Sequence, residues 1–460
     1  MPARRLMLPL LWLGALLLGL AVRPAAAQTV PAAPLDSVVR EPADSLVVEP
    51  VVLPDSLVQE PGAPAGVWPR PDSLRRRVPL VRDPADFAYV DSLTAALLAR
   101  HRWALLDSVG RRAIGLGLDY PALRQRLGFA ATLRERPAEA VRHYERALLD
   151  NSADEQSRLG LSLAWLALNQ REAAARAARP LPDSARRTLR LAPRLLARAE
   201  AEAGGQWPST ADRSAASYGR LGLGSQWGGG WALWQAVSHY AQQVRVVVPE
   251  FGPGPGPGPG PRWVAVRQFD YQALLTVPLP ARLQGKVGYH YTGSRFHETR
   301  YPGHLGYAAL RYVRPHWQLQ AGLYAGRLTD SVRTQTELQL TAYPLGNLHL
   351  YGFGRASFVR TAGRTAPHVV LGAGARLARR LWVDGYAGWG RVPVLADQDG
   401  AYVYNLLDPL RRRLGLGLLV PLPGRHWVTR LHYGAEARTQ IQTLTFYTQH
   451  TLTLAATWTW

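Results

Sequence analysis

The last stretch of the chain, Tyr447 to Trp460, alternates strictly between two kinds of side chain. From His450 onward one set of positions holds His450, Leu452, Leu454, Ala456, Trp458 and Trp460, and the other holds Thr451, Thr453, Ala455, Thr457 and Thr459. A period of two with one greasy face and one small polar face predicts a β-strand. Two settings satisfy such a strand: a half-buried position in a soluble sheet, or a membrane barrel with lipid outside and a polar lumen inside. An aromatic end left at an open sheet edge would invite pairing with other chains, so the edge has to be covered or closed.

The pattern recurs upstream and favours the barrel. Residues 282–291 oppose Leu283, Val287, Tyr289 and Tyr291 to Arg282, Gln284, Lys286 and His290, and residues 334–343 oppose Leu338, Leu340 and Ala342 to Gln335, Glu337 and Gln339. Similar segments follow at 368–377, 413–420 and 426–438. The second face carries Gly, Gln, Thr, His and charges of both signs, which suits a narrow polar lumen rather than a solvated sandwich face. Short connections such as Pro278 to Ala281, Arg314-Pro315 and Pro421 to Gly424 alternate with long ones at about 248–261, 293–303 and 391–410, as short periplasmic turns and long outer loops do. Residues 216–460 are therefore expected to form an antiparallel transmembrane barrel of about 12 strands, with 14 as the upper count if Tyr218 to Gln226 and a divided 231–249 both contribute. Eight charged positions are expected on the lumen face: Arg282, Lys286, Glu337, Arg376, Asp384, Arg413, Arg430 and Glu436. Unpaired charge inside a narrow barrel is costly, so they are expected to pair into a network that plugs it, with anion selection as the alternative.

The period is different between residues 85 and 204. This stretch is rich in Ala, Leu, Arg and Glu with few breakers, and its apolar spacing is helical. The clearest unit runs from Pro121 through Leu127-Gly128 to a second helix opened by Pro137 and carrying Ala140, Tyr144 and Ala147. Small residues at Gly128 and Ala140 let two antiparallel helices approach closely, and Tyr144 and Ala147 lie one turn apart on the facing side. Leu159-Gly160 and Ala174 repeat the arrangement, and residues 184–203 are expected to close the array as a helix. Residues 205–215 read as a linker.

Composition adds an address. Arg4 and Arg5, the apolar run Leu6 to Val22 and Ala25, Ala26 and Ala27 have the layout of a cleaved signal peptide over residues 1–27. Residues 28–84, dense in Pro, Val, Asp and Ser, read as a disordered tether. Cysteine is absent, so no disulfide framework or thiolate metal site is available. The formal charge of +21 is carried almost wholly by Arg, Lys286 being the only lysine. Such basicity raises nucleic-acid binding, but the export signal and the scatter of the arginines argue against it; a codon bias that replaced Lys by Arg throughout accounts for the charge, with attraction to anionic envelope components as the functional alternative.

No chemistry stands out. His297-Glu298 and His304 miss the spacing of a zinc protease, the Gly-Pro run Gly252 to Pro261 reads as a loop tip, and no Ser, His and acid are spaced as a hydrolase would need. No catalytic, metal or cofactor site is expected.

The two units at Leu127-Gly128, Ala140, Tyr144, Ala147 and at Leu159-Gly160, Ala174 resemble the tetratricopeptide repeat, although Arg124 stands at its usual aromatic position and Ser152 at its usual Pro. The whole order of signal, repeats, aromatic barrel and C-terminal Trp resembles outer-membrane proteins that join such repeats to a barrel, the YaiO-like group and, more distantly, polysaccharide-export porins. The resemblance implies an α+β multidomain protein: a periplasmic α-solenoid that binds a protein partner, then a barrel in outer-membrane lipid. It implies a non-enzymatic role that aids polymer or solute passage or envelope assembly, the alternatives being a lipid- or polysaccharide-modifying barrel enzyme and a soluble secreted β-protein. The terminal strand with Leu452, Leu454, Trp458 and Trp460 resembles the signal read by the outer-membrane assembly machinery.

Overall fold

A computed structural model describes residues 86–248, 260–296, 299–328, 331–422, 426–440 and 444–460. The expected signal peptide and tether, and His297-Glu298, lie outside the described residues.

Seven helices come first among the described residues: α1 (Phe87–Ala99), α2 (Trp103–Gly115), α3 (Pro121–Leu133), α4 (Pro137–Asp150), α5 (Glu155–Ala167), α6 (Arg171–Ala177) and α7 (Asp183–Thr188). Their starts follow local chemistry. Asp86 caps α1 by accepting from the Ala88 and Tyr89 amides, and Asp154 caps α5 by accepting from Ser157. Pro121 and Pro137 open α3 and α4, where a missing amide hydrogen costs nothing. Each helix from α1 to α6 packs on the next. The tightest point is the Tyr144 ring of α4, held between Gly128 on α3 and Gly160 on α5. A methyl group at Gly128 would stand 2.8 Å from the ring and one at Gly160 only 2.2 Å. Ala140 and Ala174 are buried in the same core as Tyr144, with Leu159 packed on it at partial exposure; Ala147 is buried, and Leu127 is buried in the separate core of α1 to α3.

The remainder is one closed antiparallel barrel of fourteen strands in sequence order: β1 (Arg194–Pro208), β2 (Ala216–Gln226), β3 (Ala232–Val248), β4 (Gly260–Pro278), β5 (Leu283–Phe296), β6 (Thr299–Val313), β7 (Trp317–Leu328), β8 (Ser331–Ala342), β9 (Leu350–Thr361), β10 (Arg364–Ala378), β11 (Leu381–Asp397), β12 (Tyr402–Pro421), β13 (Trp427–Thr439) and β14 (Phe446–Thr459). β14 closes the sheet on β1, with Arg198 opposite Thr459 and Gln206 opposite Thr451. The count corrects the expected 12. β1 occupies residues expected to form a closing helix and a linker; its Arg-Leu-Leu-Ala-Arg-Ala-Glu-Ala-Glu-Ala run favours a helix locally, but pairing on both sides with β14 and β2 overrides that preference. Gly260 and Pro261, expected in a loop tip, pair with Val248 and Val247 at the end of β4; the rest of that Gly-Pro run lies outside the described residues.

The burial pattern is inverted relative to a soluble protein. On β14 Thr451, Thr453, Thr457 and Thr459 are buried, while Leu452 and Leu454 are exposed. The same inversion exposes Leu221 and Leu223 on β2, Leu338 and Leu340 on β8 and Leu414 and Leu416 on β12. Around one end, Trp458 stacks on His426 at 4.6 Å and meets Trp427 at 4.8 Å and Trp460 at 6.1 Å.

The helices sit on that same end. Val313 at the end of β6 belongs to the helical core. The Ala138 amide donates to Gly346 O, Asn347 donates to Glu135 O at 2.9 Å, and Arg176 donates to Leu283 O at 3.0 Å. At the opposite end the long loop expected at 293–303 is replaced by strand pairing, with Gly293 opposite Pro302 and Phe296 opposite Thr299.

Candidate functional site

Of the hairpins, β11–β12 departs most from a plain barrel wall. Its strands are 17 and 20 residues long, well beyond the roughly 9–11 that cross a bilayer. Its ladder slips between Trp389 and Val392 and again before Val394. The bend is set at Gly390, whose φ of 142° excludes most side chains and where a methyl group would stand 2.2 Å from Pro367 O. Beyond the bend, the hairpin Val394–Asn405 turns inward, and its Asp397-Gln398-Asp399-Gly400 tip, with positive φ at 398, 399 and 400, enters the lumen. Residues 391–410 were expected as a long outer loop. Regular pairing of Leu395 with Tyr404 and of Asp397 with Tyr402, together with polar contacts from the wall, holds them inside instead.

Every side of the tip is held. Asp399 is bonded by Lys286 of β5 and Tyr307 of β6, and by Gln320 of β7 at 2.8 Å, with Arg311 at 4.0 Å. Lys286 and Arg311 stand within a few residues of the helix-domain ends of their strands, so the tip reaches deep into the barrel. Asp397 pairs with Arg355 of β9 and Arg413 of β12, the latter at 2.9 Å. The imidazole Nδ1 of His290 donates to Gly400 O at 2.8 Å, and Gln335 both donates to Ala396 O and accepts from its amide. Tyr402 donates to Glu202 at 3.0 Å beneath the Arg220 guanidinium, 4.7 Å from the ring. Buried charges of this kind are costly unless they are paired, as Asp397 and Asp399 are here.

At the other mouth lies the start of α6. Gln170 bonds Gln318 of β7 at 3.1 Å and Arg171 bonds Gln226 of β2 at 2.9 Å. Further out, Arg282 pairs with Glu145 of α4 at 2.6 Å. Burial raises the Glu145 carboxyl above its ordinary value while Arg282 opposes that shift.

Between the two stoppers is a cavity of about 370 Å³. Gln170, Arg171 and Glu172 form its floor and Gln398, Asp399, Ala401 and Tyr402 its roof. Its wall carries Arg198, Arg220 and Arg430 against Glu200 and Glu202, with Trp234, Tyr351 and Phe353 among them. Six basic and four acidic side chains line it in all, so the chamber is polar and mildly positive. Among the described residues no cluster of His, Cys, Asp or Glu could hold a metal ion.

Six of the eight charged positions expected in the lumen lie within it, five of them buried and Arg430 partly exposed. Lys286 and Arg413 hold the hairpin tip, Arg430 bonds Asp384 at 3.4 Å, Glu337 accepts from Ser357 at 3.2 Å, and Glu436 pairs with Arg438. Arg282 and Arg376 are corrections. Arg282 precedes β5 in a turn with φ of 64°, where strand parity has no meaning. Arg376, near the end of β10, reaches Glu135 in the α3–α4 turn at 3.1 Å. Both bind the helical domain to the barrel rim. Asp397, Asp399, Arg355, Tyr402, Arg220 and Glu202 were missed. Arg220 and Glu202 needed β1 and β2 to be read as wall strands; the Asp-Gln-Asp-Gly tip between two alternating runs was the available signal for the hairpin.

No protein-family model matches the chain. No curated protein matches it either. Solved structures similar to it include the Pseudomonas putida toluene transporter TodX (6% identity, 62% of this chain and 91% of that one, TM-score 0.40). A Pseudomonas aeruginosa FadL homologue (8%, 57% and 90%, TM-score 0.36) and the Acinetobacter baumannii outer membrane protein Omp33 (9%, 58% and 99%, TM-score 0.33) are also similar. The closed barrel is established by its own strand pairing.

Proposed function

We propose that this is a non-enzymatic outer-membrane barrel that passes a small polar solute through a gated lumen, with its helical domain in the periplasm. The outward Leu, Val and Trp belt and the inward Thr, Gln and paired charges support placement in a membrane. One observation carries the transport reading: a polar chamber in the lumen is stoppered at one mouth by helices and at the other by a hairpin of the same chain. A chamber of about 370 Å³ is at the small-ligand end of the usual pocket range, which favours a solute over an extended polymer.

The helical hairpins extend the proposal. Tyr144 wedged between Gly128 and Gly160 is how close-packed tetratricopeptide-like hairpins would stack, and such arrays present docking surfaces. A periplasmic partner that moves this domain would therefore open the lower stopper. Assembly would use the terminal strand, whose Leu452, Leu454, Trp458 and Trp460 face outward or to the rim.

The test is conductance in planar bilayers. The full chain is expected to be nearly silent, and Lys286→Met with Asp399→Asn, which unlatches the hairpin tip, is expected to conduct steadily. A double variant that inserts, keeps its heat-modifiable gel shift and stays as silent as the parent would refute the gate.

A further inference from the structure

On the outer wall, at the end away from the helices, three arginines stand side by side. Arg267 of β4 is directly opposite Arg295 of β5, and Arg295 is directly opposite Arg300 of β6. All three are exposed, on the face opposite the buried Gln268 and Ser294. Opposed side chains in an antiparallel ladder have Cβ atoms about 4.5–5.5 Å apart, and like charges in that position repel. A row of three exposed guanidinium groups concentrates positive charge on one stretch of wall, where an anion is drawn.

What lies beneath the row on the same face says which anion. Descending the three strands on that face come Phe269 and Tyr271 on β4, Tyr291 and Tyr289 on β5 below Gly293, and Pro302 and then His304 on β6. His304 packs 5.3 Å from the Tyr291 ring and is hydrogen-bonded with the Tyr289 hydroxyl at 2.7 Å. Below these come Leu275, Val287 and Leu310, the last two well exposed. Arginine, then aromatic, then aliphatic is the order of headgroup, interface and hydrocarbon met on entering a bilayer.

We propose that Arg267, Arg295 and Arg300 bind a phosphate group of a lipid in the leaflet at the end of the barrel away from the helices, the lipid's chains lying along Leu275, Val287 and Leu310. This rests on the barrel spanning a membrane. Planar guanidinium forks take two phosphate oxygens at once, and adjacent forks share one group between strands. The strong basicity of the chain, +21, then has a use at this surface besides its lumen pairs.

The experiment uses the full chain in detergent and native mass spectrometry, with diphosphoryl lipid A, its dephosphorylated form and inorganic phosphate as separate probes. The parent is expected to retain diphosphoryl lipid A. The triple variant Arg267→Gln, Arg295→Gln, Arg300→Gln should retain at least about tenfold less, a loss in keeping with removing charge-assisted bonds to one phosphate group. The dephosphorylated lipid should bind the parent as weakly as the variant binds the phosphorylated one, and inorganic phosphate should leave no adduct. Equal retention by the variant, equal binding of dephosphorylated lipid, or full binding of inorganic phosphate alone each overturns the proposal. The two lipid probes on the parent decide it even if the variant misfolds. Membrane fractionation and the heat-modifiable gel shift of the parent report separately on the barrel itself.

Discussion

The helical domain and the barrel both take Leu as their chief aliphatic side chain but turn it in opposite directions. In the helices Leu106, Leu123, Leu127 and Leu168 are almost fully buried and the arginines are mostly outside. In the barrel Leu221, Leu371, Leu414 and Leu454 are outside, while Arg413 and Arg438 are among the largest fully buried side chains. Because the hydrophobic effect has one sign, the difference is what the proposed membrane placement predicts, with water around the helices and lipid around the barrel. Each part also pairs polar groups where solvent cannot reach, α1 and α5 through their Asp caps and the lumen through carboxylate and guanidinium pairs, while the Tyr218 hydroxyl and both ring nitrogens of His368 are buried without a hydrogen bond.

The comparison breaks most severely inside the lumen. Asp397→Ala removes the carboxylate shared by Arg355 and Arg413, and leaving buried charge without it is expected to cost about 3–5 kcal/mol. Urea titration of the heat-modifiable gel shift would measure it. A midpoint unchanged from the parent would mean that water already reaches those guanidinium groups. Next comes the outer wall. Leu454→Arg puts a charge against lipid and should cost about 2–4 kcal/mol if that position lies near the bilayer midplane, whereas in a soluble sheet an exposed Leu→Arg change would be neutral. Loss of membrane insertion with retained helical circular dichroism is the expected result. Gly160→Ala attacks the other region: a methyl group 2.2 Å from the trapped Tyr144 ring should destabilise the helices by about 1–3 kcal/mol and leave the barrel's gel shift alone.

Legibility differed between the regions for physical reasons. The helical hairpins declare themselves locally, through Pro121 and Pro137 at helix starts and glycines at the contacts. Alternation likewise exposes most wall strands, because period two survives wherever one face meets lipid and the other a polar lumen. What escaped was non-local. β1 reads as helix until β14 is there to pair with it, and the β11–β12 tip reads as loop until Lys286, Tyr307 and Gln320 are brought around Asp399 by closure of the barrel. Arg282 and Arg376 failed for a simpler reason: Arg282 lies just outside its strand and Arg376 near the rim end of β10, and there the helical domain supplies Glu145 and Glu135 as partners.

The smallest expected effect is electrostatic and confined to the helices. Asp119 accepts from Arg124 at 2.6 Å and from Arg146 at 3.0 Å, and the Arg124 hydrogen bond foremost lowers its pKa from 3.8 to about 2. Glu139, beside His143 and with Arg111 and Arg136 near it, is lowered from 4.5 to about 2. A carboxylate whose folded pKa is depressed contributes its stabilisation in full above the unfolded value and loses it as pH falls through the folded one. The helices should therefore weaken between about pH 4.5 and pH 2, the span bounded by those ordinary and lowered values. Asp119→Asn should remove part of that dependence and about 0.5–1 kcal/mol at neutral pH, since water reaches the pair and screens it. Hydrogen exchange in peptides from α3 and α4, followed across that pH range, would show the variant's curve flattened. An unchanged curve would mean that the Asp119 pair contributes nothing, leaving Tyr144 and its two glycines as the main hold between those helices.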